Sequence, residues 1–197
     1  MGAGFLHLRV GGEREAVARV EPLLKALAVE GGYVHAGPPG AGHYVKLVHN
    51  GIEFGMLQAL GEGFELLARY PERLDLGGTL ECWRHGSVIR SWLVELLAEA
   101  YAADPELSKP SGHIEDTGEV SWLLADALRM EVPVPVIAQA VMQLVQSRDA
   151  QARSARAIAL MRHGFGEHAL GRSSAAARER RAGRIGDLVR GDDDDTE

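Results

Sequence analysis

The sequence predicts an all-α domain preceded by one short β-strand. Three observations favour this fold class: apolar residues recur every three or four positions along most of the chain, strict alternation is confined to residues 5–10, and Gly or Pro separates the periodic segments. With 197 residues, 46% of them hydrophobic, the chain is long enough to bury a core. We therefore expect one globular domain or slightly more.

The predicted strand and the first helix occupy the first thirty residues. Apolar and polar residues alternate from Phe5 to Val10, which is the period of a β-strand. Residues 13–30 then place apolar side chains at helical spacing, and the pattern ends at the pair Gly31-Gly32. Because a lone strand is not stable, the N-terminal segment is expected either to pair with a partner or to lie as an extended arm.

The chain after this first helix is predicted to be helical as far as about residue 163. Ser87 is available to cap one helix, and the Pro-rich run at 132–135 separates the last two. The pattern gives about seven helices, and its periodic segments after the first are residues 43–70, 74–83, 88–103, 117–130 and 136–163.

Composition divides the chain into three parts. Residues 1–12 are the strand and a linker, residues 13–170 are the helical domain, and residues 171–197 are a tail. The tail is rich in Arg and Ala and closes with a run of Asp at 192–195, a like-charge pattern typical of disordered ends.

Charge and cysteine content exclude several classes of protein. The formal net charge of −7 disfavours nonspecific binding to nucleic acid. Cys82 is the single cysteine, so neither an internal disulfide nor a Cys-based metal cluster can form, and no metal site is predicted. No apolar run approaches the ~20 residues of a membrane span, and the start does not resemble a signal peptide. The sequence therefore favours a cytoplasmic protein.

Four polar residues on the helix predicted over 43–70 share one face. They lie at positions i, i+3, i+4 and i+7, which aligns an ammonium, an imidazole, an amide and a carboxylate: Lys46, His49, Asn50 and Glu53. The opposite face is expected to point into the core and carries Tyr44, Leu47, Val48 and Ile52.

Two features of this helix favour a functional site over a solvated polar face. Gly51 and Gly55 each cost about 1 kcal/mol relative to Ala inside a helix, so close approach of another backbone or a ligand is expected to compensate. Lys46 is one of three lysines among 21 basic residues. Because the pKa of a lysine can be tuned, Lys46 and Glu53 would divide base and acid roles in one pocket.

Five segments, taken in order, carry a family resemblance. They are residues 37–56 (GPPGAGHYVKLVHNGIEFGM), 83–91 (WRHGSVIRS), 116–119 (DTGE), 132–137 (VPVPVI) and 162–168 (RHGFGEH). Together they resemble the decarboxylating 6-phosphogluconate dehydrogenases, most closely the shorter-chain branch, over about residues 5–168. The resemblance implies the helical C-terminal domain of that family, which closes over 6-phosphogluconate and forms a homodimer interface.

The resemblance also implies roles for single residues. Lys46 matches the general base that takes the C3 hydroxyl proton, and Glu53 matches the acid that protonates C1 of the enediol. The remaining matches are substrate contacts: His49, Asn50, Phe54, Arg90, Arg162 and His168. Phe54 stands where many relatives have Tyr, and Thr117 and Glu119 depart from the phosphate loop of longer relatives, so that loop is not carried over.

The function that the resemblance implies is NAD(P)-dependent oxidative decarboxylation of 6-phosphogluconate to ribulose 5-phosphate, in the pentose phosphate pathway and D-gluconate catabolism. No Gly-rich fingerprint for NAD or NADP follows a strand, and residues 5–10 resemble the last strand of a missing nucleotide-binding domain. The isolated chain is therefore expected to be inactive without such a domain. Two alternatives remain: a noncatalytic module for sugar-phosphate binding or helical dimerisation, and a related 3-hydroxyacid dehydrogenase domain.

Overall fold

The computed structural model describes residues 6–175, 177 and 178. Within these residues there are seven α-helices and two short β-strands, which confirms the predicted helical class. In chain order the elements are β1 (Leu8–Gly11), α1 (Arg14–Leu27), β2 (Tyr33–Gly37), α2 (Ala41–Ala68), α3 (Leu76–Gly86), α4 (Trp92–Ala103), α5 (Glu119–Arg129), α6 (Pro135–Gln146) and α7 (Arg153–Gly166). The acidic end of the predicted tail lies outside the described residues.

The prediction of a single strand was wrong, because β2 pairs with β1. The two strands are parallel, with Leu8 opposite Tyr33 and Arg9 opposite Val34. Since α1 connects them, the three elements form a β-α-β unit, the ordinary way to join parallel strands. Five residues between two glycine-containing turns are too few to show alternation clearly, so the pattern did not reveal β2.

The single helix predicted over 136–163 is two helices, α6 and α7. Oδ1 of Asp149 accepts hydrogen bonds from the backbone N–H groups of Gln151 and Ala152, at 3.2 and 2.9 Å. Ala152 adopts a left-handed conformation with φ of 48°. An Asp side chain that bonds the backbone just after itself competes with helical hydrogen bonding, so the apolar period continues while the helix does not.

Ser91, and not the predicted Ser87, caps α4. The Oγ atom of Ser91 accepts a hydrogen bond from the N–H of Val94, and Ser91 has extended backbone angles. Ser87 instead follows the last residue of α3, and its carbonyl accepts from the N–H of Arg90 in a tight turn. The helix therefore begins four residues later than the sequence pattern predicts.

The chain divides into two compact units. Among the described residues, the first unit comprises residues 6–61 and 113–146, and the second comprises residues 62–112, 147–175, 177 and 178. The core of the first unit is a buried cluster of Val120, Leu123 and Val141 from α5 and α6. Half-buried apolar side chains of α2 pack against it, including Leu47 and Val48. This packing holds the N-terminal half of α2 against α5 and α6.

In the second unit, α3 packs against α4. The side chains of Leu80 and Val94 are fully buried there. Arg84 on α3 lies 3.7 Å from a carboxylate oxygen of Glu99 on α4, which adds an ion pair at the surface of this helix pair. By contrast, α7 contains no buried residue.

Two glycines let β1 approach the start of α2. A Cβ atom at Gly42 would collide with the carbonyl oxygen of Arg9, and one at Gly11 would lie 2.6 Å from the carbonyl oxygen of Pro38. The same atom at Gly11 would lie 2.8 Å from the N–H nitrogen of Ala41. Because only glycine tolerates such contacts, this pair fixes β1 beside the first turn of α2.

Candidate functional site

The four polar residues predicted as a site lie together on α2, in the first unit, with His49 at the centre. Nδ1 of His49 lies 3.4 Å from Nζ of Lys46, 3.3 Å from Oδ1 of Asn50 and 3.6 Å from Oε2 of Glu53. Lys46 is exposed, and the side chains of His49 and Glu53 are 42% and 38% exposed. We refer to these four residues as the α2 cluster. It is open to a small polar molecule from solvent.

Nδ1 of His49 can accept one hydrogen bond or donate another, depending on whether it carries a proton. A ring nitrogen without a proton accepts a hydrogen bond from the ammonium of Lys46, whereas a protonated one donates to Oδ1 of Asn50. These hydrogen bonds of 3.4 and 3.3 Å are long, as those at catalytic sites often are before substrate binds, and the carboxylate of Glu53 lies at ion-pair distance, 3.6 Å away. The arrangement links a candidate base and a candidate acid through one ring nitrogen.

On the opposite face of α2, Gly51 is buried against α5 and α6. A Cβ atom at this buried position would lie 2.5 Å from Cδ2 of Leu123 and 3.2 Å from Cγ2 of Ile137. The compensating contact is therefore with side chains of α5 and α6, and the expectation of another backbone or a ligand was wrong for Gly51. Gly55 is less crowded, since its Cβ would meet Val136 at an ordinary 3.5 Å.

The prediction that four apolar residues of α2 face the core is correct for two of them. Leu47 and Val48 pack against the core cluster, but Tyr44 and Ile52 are 40% and 53% exposed. The reason is that Leu47 and Gly51 sit nearest the core, which leaves Tyr44 and Ile52 at the edge of the contact. Tyr44 instead donates its hydroxyl to the sulfur of Met130 at 3.9 Å.

Phe54 also packs against the core cluster of the first unit, whereas the family resemblance implies a contact between Phe54 and substrate. Its aromatic ring stabilises the packing of α2 on α5 and α6. A contact between Phe54 and substrate stays a prediction.

The other three predicted substrate contacts belong to the second unit and are exposed. Arg90 lies in the turn before α4, where Nη1 donates to the carbonyl oxygen of His85 at 3.2 Å. Arg162 lies on α7, and His168 follows the end of that helix.

His168 is held against the end of α7 by three neighbours. Its backbone carbonyl oxygen lies 2.8 Å from Nδ1 of His163, and its ring meets the ring of Phe165 edge-on at 5.9 Å between centroids. A Cβ atom at Gly166 would lie 2.8 Å from Nε2 of His168. These contacts fold the imidazole back over the last turn of the helix.

His7 is a neighbour of the α2 cluster that the sequence did not single out. Its ring centroid lies 5.4 Å from that of His49, and the two ring planes are inclined by 41°. The alternation of residues 5–10 does place His7 on the polar face of the strand. The pattern carries no information on where that face meets α2, so the contact was missed.

In β-α-β units that bind a nicotinamide dinucleotide, the pyrophosphate lies beyond the carboxyl end of the first strand, against a Gly-x-Gly-x-x-Gly turn and the N-terminus of the next helix. The described turn between β1 and α1, which begins Gly11-Gly12-Glu13, does not carry that pattern.

The described residues contain neither a group of metal ligands nor a helix suited to cross a membrane. Among these residues, no three His, Cys, Asp or Glu side chains converge as metal ligands. In the same part of the chain, every helix is too short or too polar to cross a bilayer.

Comparison with known proteins gives a family match over most of the chain. The family model for "6-phosphogluconate dehydrogenase, C-terminal domain" matches residues 42–182. The NAD(+)-dependent, decarboxylating 6-phosphogluconate dehydrogenase of Haloferax volcanii is 42% identical over 171 residues, which are 86% of this chain and 57% of that protein. The chain thus spans little more than half the length of the curated relatives it matches.

Solved structures show the same fold at lower identity. A Plasmodium falciparum 6-phosphogluconate dehydrogenase, solved also with NADP+ and with 6-phosphogluconate, superposes with a TM-score of 0.65 at 22% identity, covering 83% of this chain and 36% of that one. A 3-hydroxyisobutyrate dehydrogenase from Salmonella typhimurium superposes with a TM-score of 0.56 at 23% identity, covering 72% of this chain and 48% of that one.

Proposed function

This chain belongs to the 6-phosphogluconate dehydrogenase family, and from that premise we propose that it supplies the substrate-binding and catalytic part of such an enzyme. The proposed reaction is the oxidative decarboxylation of 6-phosphogluconate to ribulose 5-phosphate, with NAD or NADP as oxidant. One observation carries the proposal: Nδ1 of His49 lies within 3.6 Å of polar atoms of Lys46, Asn50 and Glu53. A solvated helix face does not require this convergence on one atom.

Within this proposal, the α2 cluster moves protons at the carboxylate end of the sugar acid. Lys46 takes the proton of the C3 hydroxyl while C3 loses its hydride, for which NAD or NADP would be the acceptor. After CO2 leaves, Glu53 donates a proton to C1 of the enediol that remains. Because His49 Nδ1 lies 3.4 Å from Lys46 and 3.6 Å from Glu53, the imidazole returns protons between the two without movement of the helix.

Arg90 and Arg162 match phosphate or substrate contacts of the family, and we propose each of them as a phosphate contact. The planar guanidinium donors of Arg90 and Arg162 suit two oxygens of a phosphate at once. Arg162 is exposed on α7, and His168 is held against the end of the same helix by His163 and Phe165. We propose that Arg162 and His168 serve the site of a second copy of the chain.

A homodimer through α7 is part of this proposal. Ile158, Met161 and Phe165 lie at i, i+3 and i+7 and are 53%, 61% and 74% exposed. Three large apolar residues on one stripe of a helix with no buried residue favour a partner that covers them. A second copy of the chain is the partner we propose.

The nicotinamide cofactor is proposed to be held by a separate nucleotide-binding domain, because the described turn after β1 lacks the Gly-x-Gly-x-x-Gly pattern that receives a dinucleotide. Whether NAD or NADP is used depends on that domain. The proposed location is the cytoplasm, where a lone exposed cysteine such as Cys82 stays reduced.

Calorimetric titration of the chain tests the binding half of the proposal. We expect saturable binding of 6-phosphogluconate, with weaker binding of gluconate, which lacks the phosphate, and of glucose 6-phosphate, which lacks the carboxylate. Absence of saturable binding of 6-phosphogluconate would overturn it. The catalytic half is tested by adding the N-terminal domain of the Haloferax volcanii relative with NAD or NADP and following reduced cofactor.

The open α2 cluster is equally compatible with a second candidate, a noncatalytic module that binds sugar phosphates. If this candidate is correct, 6-phosphogluconate gives the same titration curve, but no added nucleotide-binding domain produces turnover. The likeness to 3-hydroxyisobutyrate dehydrogenase concerns the fold alone. Tighter binding of 3-hydroxyisobutyrate than of 6-phosphogluconate would favour a 3-hydroxyacid dehydrogenase domain instead.

A further inference from the structure

The imidazole of His7 packs beside the imidazole of His49. The ring centroids are 5.4 Å apart and the planes are inclined by 41°, which is within the range of favourable aromatic pairs. His49 is the residue whose Nδ1 atom joins Lys46, Asn50 and Glu53. His7 therefore contacts the one side chain on which the geometry of the whole α2 cluster depends.

The backbone on both sides of His7 is fixed. The carbonyl oxygen of Leu6 accepts a hydrogen bond from the N–H of Val29 at 2.9 Å, and the N–H of Leu8 donates to the carbonyl oxygen of Gly32 at 2.7 Å. Three residues further on, Gly11 is in close contact with the first turn of α2. The N-terminal segment thus brings His7 to α2 at a defined place and does not reach it as a loose arm.

A ring beside His49 restricts its orientation. A 180° rotation of the His49 ring about its Cβ–Cγ bond would exchange Nδ1 with Cδ2 and break the contacts to Lys46, Asn50 and Glu53 at once. Because His49 is 42% exposed, solvent leaves room for that rotation on one side, and a packed neighbour opposes it on the other. The neighbour that the structure provides is His7.

We propose that His7 is a positioning residue of the α2 cluster, which holds the His49 imidazole with Nδ1 toward Lys46 and Glu53. In this proposal His7 acts through the His49 ring and does not contact the substrate. This inference deepens the proposed function and rests on it for the effect on substrate affinity. The effect on the His49 ring itself does not depend on the substrate.

Imidazole 15N chemical shifts of the full chain test the inference without any ligand, because they report which ring nitrogen carries the proton. We expect His7→Ala to change the shifts and tautomer balance of His49, and His7→Phe, which keeps an aromatic ring at the position, to retain the native balance. His7→Leu is a second truncation of the ring, made in case His7→Ala does not fold. The matched control is His43→Ala, since His43 is an exposed histidine of the same helix.

Calorimetry with 6-phosphogluconate gives the second readout. His7→Ala is expected to weaken binding about 2- to 12-fold, the range that one aromatic pair supplies, and His7→Phe is expected to restore it. Unchanged His49 shifts in both His7→Ala and His7→Leu would overturn the inference, as would equal effects of His7→Ala and His7→Phe. If the unmodified chain does not bind 6-phosphogluconate, the proposed function fails, while the 15N shifts still decide whether His7 positions His49.

Discussion

The side chain of Leu123 on α5 fills the space beside Gly51 on α2. A Cβ atom at residue 51 would lie 2.5 Å from Cδ2 of Leu123, a separation that real side chains do not show. Gly51 directly follows Asn50 of the α2 cluster, so the core contact and the polar cluster share one helical turn. The cluster is positioned from behind, by how closely α2 approaches α5.

Gly51→Ala is expected to destabilise the chain. Overpacking a buried position typically costs about 1–3 kcal/mol, and the better helix propensity of Ala returns about 1 kcal/mol, so the net loss reaches about 2 kcal/mol. Leu123 is 5% exposed and has little room to move away. Urea denaturation followed by circular dichroism measures the loss in the free energy of unfolding.

Gly61→Ala is the matched control on the same helix. No heavy atom lies within 4 Å of a Cβ built at Gly61, so only helix propensity acts there, and the variant is expected to be more stable by about 0.5–1 kcal/mol. If Gly51→Ala were as stable as Gly61→Ala, the contact with Leu123 would not explain the glycine.

The helices and the α2 cluster were predictable from sequence because each depends on local spacing. Residues at i, i+3, i+4 and i+7 share a helix face whatever surrounds the helix, so Lys46 and Glu53 were placed together without knowledge of the fold. The break between α6 and α7 was not predictable from apolar period alone. It depends on the Asp149 side chain, which accepts hydrogen bonds from the N–H groups of Gln151 and Ala152. The spacing of apolar residues does not reveal these bonds.

Contacts between elements distant in sequence account for the remaining errors. The pairing of β1 with β2 and the approach of His7 to His49 each join segments separated by a helix or more. Gly11 and Gly42 make the approach of β1 to α2 possible, but the presence of a glycine in a sequence does not indicate which residue it will contact. Such contacts are set by tertiary packing, which single-sequence patterns do not encode.

Ser91→Ala is expected to destabilise α4 by about 1 kcal/mol, because it removes the side-chain acceptor at the N-cap. The bond that is lost runs from the N–H of Val94 to Oγ of Ser91, at 3.3 Å. Ser87→Ala is the comparison variant, since Oγ of Ser87 accepts only from the N–H of Ile89 in an exposed turn. Thermal unfolding of both variants shows which substitution lowers the stability more. A larger loss of stability in Ser87→Ala than in Ser91→Ala would contradict Ser91 as the N-cap.

Lys46→Ala is expected to lower turnover of the reconstituted enzyme by about 10²- to 10⁴-fold, the usual contribution of one general acid or base. Lys25→Ala is the control, because Lys25 lies on α1 and its ammonium is 2.6 Å from the carboxylate of Glu21. The hydrogen bond that Lys25 donates to the carboxylate of Glu21 raises the pKa of Lys25, so this lysine stays protonated and is unsuited to act as a base. Equal turnover in the two variants would remove Lys46 from the mechanism.

Met161→Glu is expected to shift the chain from dimer to monomer. The substitution places a charge in the middle of the exposed stripe formed by Ile158, Met161 and Phe165, and burying an unpaired charge in an interface is costly. Sedimentation velocity measures the oligomeric state at several protein concentrations. Arg156→Glu, also exposed on α7, controls for added negative charge, and an unchanged dimer in Met161→Glu would show that α7 is not the interface.

Arg162→Ala is expected to weaken binding of 6-phosphogluconate about 10- to 150-fold, since a hydrogen bond to a charged group contributes about 1.5–3 kcal/mol. Gluconate lacks the phosphate, so its affinity is expected to stay the same, and this difference separates a phosphate contact from a general loss of folding. Arg156→Ala on the same helix is the control for loss of one exposed positive charge. Both ligands are compared by calorimetry on all three proteins. An equal loss of affinity for gluconate and 6-phosphogluconate in Arg162→Ala would mean that Arg162 supports the site as a whole and does not bind the phosphate.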